Sequence, residues 1–575
     1  MAAEAEKNDG AVVNSDAETG QTVVLAAADG TAAPARRSKL QSVLIMTSLC
    51  TAVFLSALDQ TIVSTALPTI ADHFESSSGY VWVGSAFLLA QAVVAPSWGK
   101  LSDIWGRKII LLIAVAIFFI GSTLAAAATS LTMLLVGRAV QGTASGGLLS
   151  LASIVVGDLY SPRERGKYYG IIGMVWSIAF TLGPLIGGAF TRGVSWRWCF
   201  YINLPTSGLS FAIMAFLLKL DTPKTPFLAG IKVIDWPGTF ALVGGALMLL
   251  FGLQLGDTSY PWNSPTIICL IVFGILTLCI FVAIERYVAP YPILPVHLYA
   301  SPGNAAILLI NLFHGIVFTQ AIYFLPLYCQ SVLGADPLLS GVLLLPLAVS
   351  MSVALVGAGT YLKRTGRYLD CIWLGFILLA LGVGLMYDLP ASTSWPRLII
   401  YQIIAGFGIG LNYQPPLVAL QSRVPAQDNA AVTSSFGLVR SLSAAIGVVV
   451  GSVAFANKMN TEQPKLIDLI GADNATLFTG SNSQANVLLV NNMPDGPEKT
   501  AVREAYWEAL RVLWIVALAF SGAAFLACLL IRNKKLEETH VVVKTGLEGE
   551  EERRRIAMQH RAGKVAASEI GYTAA

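Results

Sequence analysis

Charged side chains are rare inside the long apolar segments of this 575-residue chain. Asp59 lies in the segment 41–66, and Arg138 lies in the segment 132–157. A carboxyl group in apolar surroundings can change its protonation because burial disfavours its charged form, whereas arginine does not readily lose its proton. The two residues therefore predict a site that binds a proton or a cationic substrate at Asp59. Uptake of a proton by Asp59 would then break or form its contact with Arg138.

Less specialised roles stay open for both residues. If the first apolar segment ends early, Asp59 is a solvated residue at the outer mouth of the molecule. Arg138 lies only one or two turns from the outer end of its segment, so its side chain could extend to the water interface. Arg440, in the segment 431–455, is open to the same alternatives, since it could lie close enough to the cytosol to extend there.

The apolar segments recur along the whole chain. Hydrophobic residues make up 55% of the chain, charged residues make up 12%, and the mean hydropathy is +0.66, against roughly 25% charged residues in a soluble domain. About 20 apolar residues suffice to cross a bilayer, so the sequence predicts an all-α membrane protein embedded in lipid. The fourteen predicted spans are 41–66, 80–98, 109–129, 132–157, 168–190, 199–219, 234–254, 266–284, 305–328, 338–361, 371–387, 397–420, 431–455 and 510–531.

Several classes of function are excluded by composition and by missing motifs. A net charge of +3 is small for this length and gives no reason to expect nucleic acid as a partner. The seven cysteines are scattered, without a close pair or a neighbouring histidine, so neither a metal nor a disulfide is expected. The sequence has no phosphate-binding Gly-x-x-x-x-Gly-Lys-Ser/Thr loop. We expect no cofactor, no enzyme activity, no required oligomer, and an ion gradient as the energy source.

The distribution of basic residues predicts the orientation. With a cytosolic N-terminus, most of them fall in cytosolic connections, and an even number of spans returns the C-terminus to the cytosol. The tail 1–40 is predicted to be disordered, and the charge run 548–555 is predicted to be a solvated helix or coil. The long outer connection 456–509 contains a glycosylation acceptor at Asn474. We expect a multi-pass protein of the plasma membrane, with the vacuolar membrane as the alternative.

Glycines and polar residues repeat with an offset of about 260 residues. Gly99 and Gly106 recur as Gly359 and Gly366, and the series Arg138, Gly142, Gly146 recurs as Gln402, Gly406, Gly410. Parallel repeats of this kind indicate two related six-helix halves, a known architecture of membrane transporters. The predicted organisation is a tail 1–40, a first half 41–219, an extra helix pair with linkers 220–290, a second half 291–532 and a tail 533–575.

The connection 99–108 has the sequence GKLSDIWGRK, in which two glycines permit a tight turn and several charges must pair or stay in water. It resembles the cytoplasmic loop between helices two and three of the major facilitator superfamily. This resemblance implies a parallel-repeat fold and a charged cluster that pairs when the cytosolic side is closed and separates when it opens. The gating residues implied in this way are Gly99, Asp103, Gly106, Arg107 and Lys108.

Four further strings resemble the fourteen-span drug:proton antiporter branch of that superfamily, and particularly its fungal members. They are LDQTIVSTALP at 58–68, GRAVQG at 137–142, GPLIGG at 183–188 and WRWCFYINLP at 196–205. The resemblance implies a proton-transfer role for Arg138, and we assign Asp59 to proton coupling with it. It also associates the motif of Gly183, Pro184, Gly187 and Gly188 with export.

The expected function is therefore proton-coupled efflux of amphipathic small molecules, such as a toxin, a secondary metabolite or a xenobiotic. Two alternatives remain: a siderophore or vacuolar basic amino acid transporter of the same superfamily, and a non-transporting membrane sensor. Polar and aromatic side chains inside the spans are candidates to line the substrate cavity, although many such residues serve only to pack helices. The candidates are Gln60, Gln91, Gln141, Trp176, Asn311, His314, Gln320, Tyr323, Gln402, Asn412 and Gln414.

Overall fold

The chain is helical in the computed structural model, which describes residues 38–75, 77–218, 220, 222–256, 260–480, 482–538 and 545–555. Within these ranges there is no β-strand, only an isolated bridge between Gly256 and Tyr260. Thirteen helical segments of the described residues are long and apolar enough to cross a membrane. The prediction of an all-α membrane protein is therefore confirmed. The predicted disordered tail lies outside the described residues, apart from residues 38–40.

Fourteen helices of 15 or more residues make up the described bundle. They are α1 (Lys39–Ile62), α2 (Ser77–Trp105), α3 (Arg107–Ala126), α4 (Leu131–Leu159), α5 (Pro162–Gly193), α6 (Asn203–Leu217), α7 (Trp236–Leu255), α8 (Pro265–Ala283), α9 (Pro302–Ser331), α10 (Leu345–Thr365), α11 (Leu369–Met386), α12 (Trp395–Tyr413), α13 (Asn429–Ile470) and α14 (Pro497–Cys528). The helix α2 is not among the thirteen candidate spans, but it lies at the predicted second span and packs against α4.

Shorter helical segments connect these helices. They are Val63–Thr65, Leu67–His73, Trp198–Tyr201, Phe227–Lys232, Ile284–Val288, Val296–Tyr299, Pro337–Leu343, Pro415–Ser422, Ala426–Asp428, Ala472–Leu477, Asn482–Ala485 and Val487–Asn492.

Helix packing follows the same pattern twice. In the first half α1 packs on α5 and α6, α4 packs on α2 and α3, and α3 packs on α6. In the second half α9 packs on α13 and α14, α12 packs on α10 and α11, and α11 packs on α14. The halves meet where α5 packs on α10 and where α13 packs on α2, again a symmetric pair of contacts. The helices α7 and α8 pack on each other, and α7 also contacts α2 and α13.

The repeated glycines lie at matching close contacts. A Cβ atom on Gly142 of α4 would meet the backbone of α2 at Phe87, and one on Gly406 of α12 would meet the backbone of α10 at Leu347. Gly146 and Gly410 make the next contact along the same two interfaces. Both pairs therefore allow two helices to approach more closely than any side chain would permit. The repeat seen in the sequence corresponds to a repeat in helix packing.

The segment 456–509 differs from the prediction. It is not a loop, because α13 continues through 42 residues to Ile470 and α14 begins at Pro497, with three short helices between them. The predicted span 431–455 is followed by a polar helical extension, in which Lys458 and Lys465 both pair with Glu462. Apolarity marks where a helix can lie in lipid, and it does not mark where the helix ends. Asn474 is exposed within the short helix Ala472–Leu477.

Candidate functional site

Asp59 and Arg138 form a buried ion pair. Arg138 Nη1 lies 2.6 Å from Asp59 Oδ2, and the two side chains are 1% and 0% exposed. The other carboxylate oxygen, Oδ1, accepts hydrogen bonds from Gln141 Nε2 at 3.1 Å and from Asn203 Nδ2 at 2.5 Å. Asp59 therefore binds three donors from α4 and α6, and it is not a solvated residue at the mouth of the bundle. Together these four residues are called the α1–α4–α6 network.

The guanidinium of Arg138 is held in place on several sides. Nη1 also donates to Gln141 Oε1 at 3.0 Å, and Nε donates to the backbone oxygen of Val83 at 3.1 Å. The ring of Phe87 lies 4.4 Å from the guanidinium carbon, within the range of a cation–π contact. Arg138 does not extend to the interface, because its side chain is 1% exposed and its donors are used inside the bundle.

Gln141 is one of the predicted cavity residues, whereas Asn203 is not among the predicted site residues. In the structure Gln141 belongs to the α1–α4–α6 network and also donates to Ser122 Oγ of α3 at 2.8 Å. Asn203 begins α6 and lies in the string 196–205, which resembles the antiporter branch. The sequence offers only a weak signal for this contact, an asparagine near the start of the predicted span 199–219.

Helix α5 packs closely on α1 within a few residues of Asp59. Gly183 and Gly187 of α5 face α1, where an added Cβ atom would collide with Thr61 and with the backbone oxygen of Ile62, respectively. Gly188 has open space around it. Pro184, inside the same helix, contributes a backbone oxygen that accepts a hydrogen bond from Thr65 Oγ1 at 3.3 Å.

A second charged cluster lies at the end of the bundle where α2 passes into α3. We call this end of the bundle the basic end. Arg107 Nη1 lies 2.5 Å from Asp103 Oδ1, and Arg107 Nε lies 2.8 Å from Asp158 Oδ2 of α4. Gly106 makes the turn with φ of +92°, a conformation that favours glycine. Lys108 donates to the backbone oxygen of Ala215 at 2.7 Å and thus joins α3 to α6.

The C-terminal segment binds to this cluster. The run 548–555, predicted to be a solvated helix or coil, is a helix that is solvated only on one side, since Glu550 and Arg553 pack on the bundle. The exposed residues of the run are Glu548, Glu551, Arg554 and Arg555. Arg553 Nη1 lies 2.8 Å from Asp103 Oδ2, and Lys100 Nζ lies 2.6 Å from Glu550, whose side chain is 2% exposed. Burial lowers the pKa of the Arg553 guanidinium, but the carboxylates of Asp103 and Glu550 outweigh burial and raise it. The charges in this run therefore satisfy partners on α2 that no local sequence signal reveals.

Residues 531–538 also connect the two halves. Leu536 N donates to the backbone oxygen of Gly366 at 3.1 Å in the second half. Arg163 N of α5 donates to the backbone oxygen of Glu537 at 3.3 Å, and the Arg163 side chain pairs with Glu538. Together with 545–555, this segment crosses the basic end from the second half to the first.

The two halves meet closely at the basic end. Arg163 Nη2 donates to the backbone oxygen of Arg364 at 2.6 Å, and Tyr169 Oη accepts from Gln421 Nε2 at 2.9 Å. A Cβ atom on Gly359 of α10 would collide with the backbone of Gly166 in α5. These contacts join the two halves at this end of the bundle.

Further from that end, aromatic side chains of both halves come together. Trp176 of α5 has its ring centroid 5.9 Å from Tyr413 of α12 and 6.4 Å from Phe318 of α9. All three side chains are partly exposed. His314 is 1% exposed, lies over Phe318 with parallel rings, and its Nε2 is 3.1 Å from the backbone oxygen of Ile409. We call Trp176, Phe318, Tyr413 and His314 the aromatic group.

The remaining cavity candidates divide by exposure. Gln60 and Gln91 are partly exposed, and Tyr323 is 52% exposed. The others are buried; Asn311 donates to the backbone oxygen of Phe436, and Asn412 donates to that of Gly408. Buried candidates are Asn311, His314, Gln320, Gln402, Asn412 and Gln414. Among the described residues, no group of three His, Cys, Asp or Glu side chains could hold a metal ion.

Comparisons with known proteins identify the family. The family model of the Major Facilitator Superfamily matches residues 49–235 and 236–448. The chain is 47% identical over 507 residues to "Efflux pump dotC" of Dothistroma septosporum, covering 88% of this chain and 87% of that protein. It is 36% identical to "Efflux pump FUS6" of Gibberella fujikuroi, covering 86% of this chain and 90% of that protein.

The chain therefore belongs to the Major Facilitator Superfamily. Its relatives place it in the fungal efflux branch, so it is a multi-pass membrane transporter and not an enzyme. A human transporter of this fold, MFSD10 (TETRAN), has a similar structure, with a TM-score of 0.53 at 15% identity, covering 83% of this chain and 99% of that one. That likeness concerns the fold alone.

Proposed function

We propose that this chain exports amphipathic small molecules, such as a toxin, a secondary metabolite or a xenobiotic, across the plasma membrane in exchange for protons. The observation that carries the proposal is the buried pair of Asp59 and Arg138, since ionisable residues inside a membrane bundle are costly and mark ion or proton pathways. The similarity to fungal efflux pumps over most of the chain supports the outward direction.

The proton acts on Asp59 within the α1–α4–α6 network. When Asp59 is ionised, its oxygens hold donors from Arg138, Gln141 and Asn203. Protonation removes the negative charge, so the attraction between α1 and the cation of α4 falls and one oxygen becomes a donor. Proton binding is thereby linked to the positions of three helices in the first half.

Opening of the basic end requires the contacts between the halves to separate. The cluster of Asp103, Arg107 and Asp158 lies at this end, and residues 531–538 and 545–555 make contacts there with both halves. In the proposed cycle these contacts hold the cytosolic side closed while cargo leaves outward. They separate when cargo enters from the cytosol or the inner leaflet.

Deletion of the gene should cause the cargo to accumulate inside a host that produces the cargo or is exposed to it. A deletion strain is expected to retain one amphipathic natural product, or a small set of xenobiotics, and to grow poorly on it. Dissipating the proton gradient in the parent strain should have the same effect, because the gradient drives export. Intracellular and medium concentrations of radiolabelled or fluorescent amphipathic compounds measure this, with the re-introduced gene as control.

If the deletion strain instead takes up less of a nutrient or an iron chelate and tolerates every tested toxin as well as its parent, the protein is an importer. Equal fluxes with and without the proton gradient would contradict proton coupling while leaving export intact.

The proposed orientation places the basic end in the cytosol and Asn474 outside, since short cytosolic connections are rich in lysine and arginine. Exposed positions on opposite ends test it: Lys167→Cys at the basic end and Asp473→Cys beside Asn474. In intact cells, an impermeant maleimide should label Asp473→Cys and should label Lys167→Cys only after permeabilisation. The unmodified chain, which has its own cysteines, gives the background. Labelling of Lys167→Cys in intact cells would invert the topology.

A further inference from the structure

Arg440 is a second arginine on a long helix of the bundle, and it differs from Arg138 in its partners and in being partly exposed. It lies on α13, with Nη2 donating to the backbone oxygen of Tyr413 at 2.5 Å. Its guanidinium carbon lies 3.9 Å from the ring centroid of Tyr413 and 4.8 Å from that of Phe436. The Nε atom is buried and makes no hydrogen bond within the described part of the chain.

Within the described residues, no carboxylate forms an ion pair with Arg440. Of the helices that pack on α13, α7 and α9 contain no Asp or Glu, and α2 and α4 contain one each, Asp103 and Asp158, which both pair with Arg107. The carboxylates of α14 all lie between 498 and 508, in its first half. Arg138, by contrast, has the carboxylate of Asp59 at 2.6 Å. The one carbonyl contact and the two aromatic faces carry no negative charge, and the side chain of Arg440 is partly exposed. The guanidinium can therefore bind an anionic partner from outside the chain.

The surroundings of Arg440 favour an aromatic ligand. Tyr413, on which its guanidinium lies, belongs to the aromatic group. These rings come from α5, α9 and α12, so they lie where the two halves face each other. His314 Nδ1 and Gln414 Oε1 are buried without a hydrogen-bond partner in the described residues, and they add polar groups to an apolar wall.

We propose that Arg440 binds an acidic group of the cargo, and that the cargo is an aromatic or conjugated molecule bearing a carboxylate, phenolate or enolate. This inference rests on the proposed export function and names its substrate class. The ring of the cargo stacks on the aromatic group, while the guanidinium of Arg440 donates charge-assisted hydrogen bonds to the acid. The first half thus binds the proton at Asp59, and the second half binds the acidic group of the cargo at Arg440.

Two probes that share one ring system test the proposal. The full-length protein in lipid nanodiscs is titrated with 9-anthroate and with 9-anthracenemethanol, and binding is followed by anthracene fluorescence. The wild-type protein should bind the acid at least about tenfold more tightly than the alcohol, since a charge-assisted hydrogen bond commonly contributes that much. Equal affinities in the wild-type protein would overturn the proposal without any substitution.

The variant Arg440→Gln should weaken 9-anthroate binding about 10- to 100-fold and leave 9-anthracenemethanol within about twofold, because only the charged contact is lost. Retained alcohol binding also shows that the variant is folded. Arg440→Lys keeps the charge without the planar guanidinium, so it should bind 9-anthroate in preference to 9-anthracenemethanol, but less strongly than the wild-type protein does. This variant provides the test if Arg440→Gln does not fold. A preference that survives both substitutions would overturn the proposal.

Arg511→Gln is the matched control. Arg511 of α14 also stacks on two rings, Tyr387 at 4.0 Å and Trp507 at 4.7 Å, but it has the carboxylate of Glu508 at 3.1 Å. Its removal should change neither affinity. Gradient-driven export of both probes with equal affinities would reject the acidic cargo and keep the export function. A clear preference for the acid without gradient-driven export would support the acidic cargo and reject the export function.

Discussion

Asp59→Asn is expected to abolish proton-driven export while the protein still folds and reaches the membrane. The amide has nearly the same shape as the carboxylate, but it cannot take up or release a proton in this range of pH. It also replaces one carboxylate oxygen by an NH2 group, which then faces either the donor from Arg138 or the donors from Gln141 and Asn203, and it leaves the buried cation of Arg138 without a negative partner. The coupled rate should fall by roughly a hundredfold or more.

The measurement separates coupling from transport itself. Full-length protein in proteoliposomes is given a pH gradient, and cargo flux is recorded together with proton movement by a trapped pH-sensitive dye. Asp59→Asn should lose both signals but should retain exchange of cargo between equal internal and external pools, since that exchange needs no net proton movement. Asp370→Asn is the control, because Asp370 pairs with Arg367 at the surface. Wild-type pH dependence in Asp59→Asn would remove Asp59 from the proposed mechanism.

Arg138→Lys should resemble Asp59→Asn more closely than its conserved charge suggests. The guanidinium reaches Asp59, Gln141 and the backbone of Val83 through two different nitrogens, and a lysine ammonium cannot reproduce that arrangement.

Much of the fold could be predicted because the bilayer leaves few options. Every backbone group in lipid must be paired within the segment, so an apolar run of about 20 residues is a helix. The glycine repeat also carried information, since Gly142 and Gly406 lie at equivalent close contacts. Helix ends outside lipid follow different rules. The extension of α13 to Ile470 is stabilised by polar pairs such as Lys458 with Glu462, and apolarity does not record these.

The candidate site could be predicted only in part. Asp59 and Arg138 stood out because charges in apolar runs are rare and costly. Asn203 joins them from 144 positions away along the chain, and an asparagine at the start of a span carries no such cost. The contact of Arg553 with Asp103 was missed for a related reason, since a charge run in a tail is usually solvated. Contacts of this kind depend on the tertiary arrangement.

Two neighbouring glycines of the export-associated motif should respond oppositely to the same substitution. Gly187→Ala is expected to destabilise the protein by about 1–3 kcal/mol, because the new methyl group would collide with the backbone oxygen of Ile62, which cannot rotate away. Gly188→Ala should be neutral or slightly stabilising, since its surroundings are open and alanine favours a helix by roughly 1 kcal/mol over glycine.

Size-exclusion chromatography after heating in detergent compares the two variants. It measures the fraction of protein that remains monodisperse. Gly187→Ala should also reduce proton-driven export beyond its loss of folded protein, because α5 must move away from α1 and α1 carries Asp59 three residues before Ile62. Coupling is therefore measured on the folded fraction. Equal survival and equal coupling in the two variants would mean that close packing of α5 on α1 does not position Asp59, and that the motif acts in some other way.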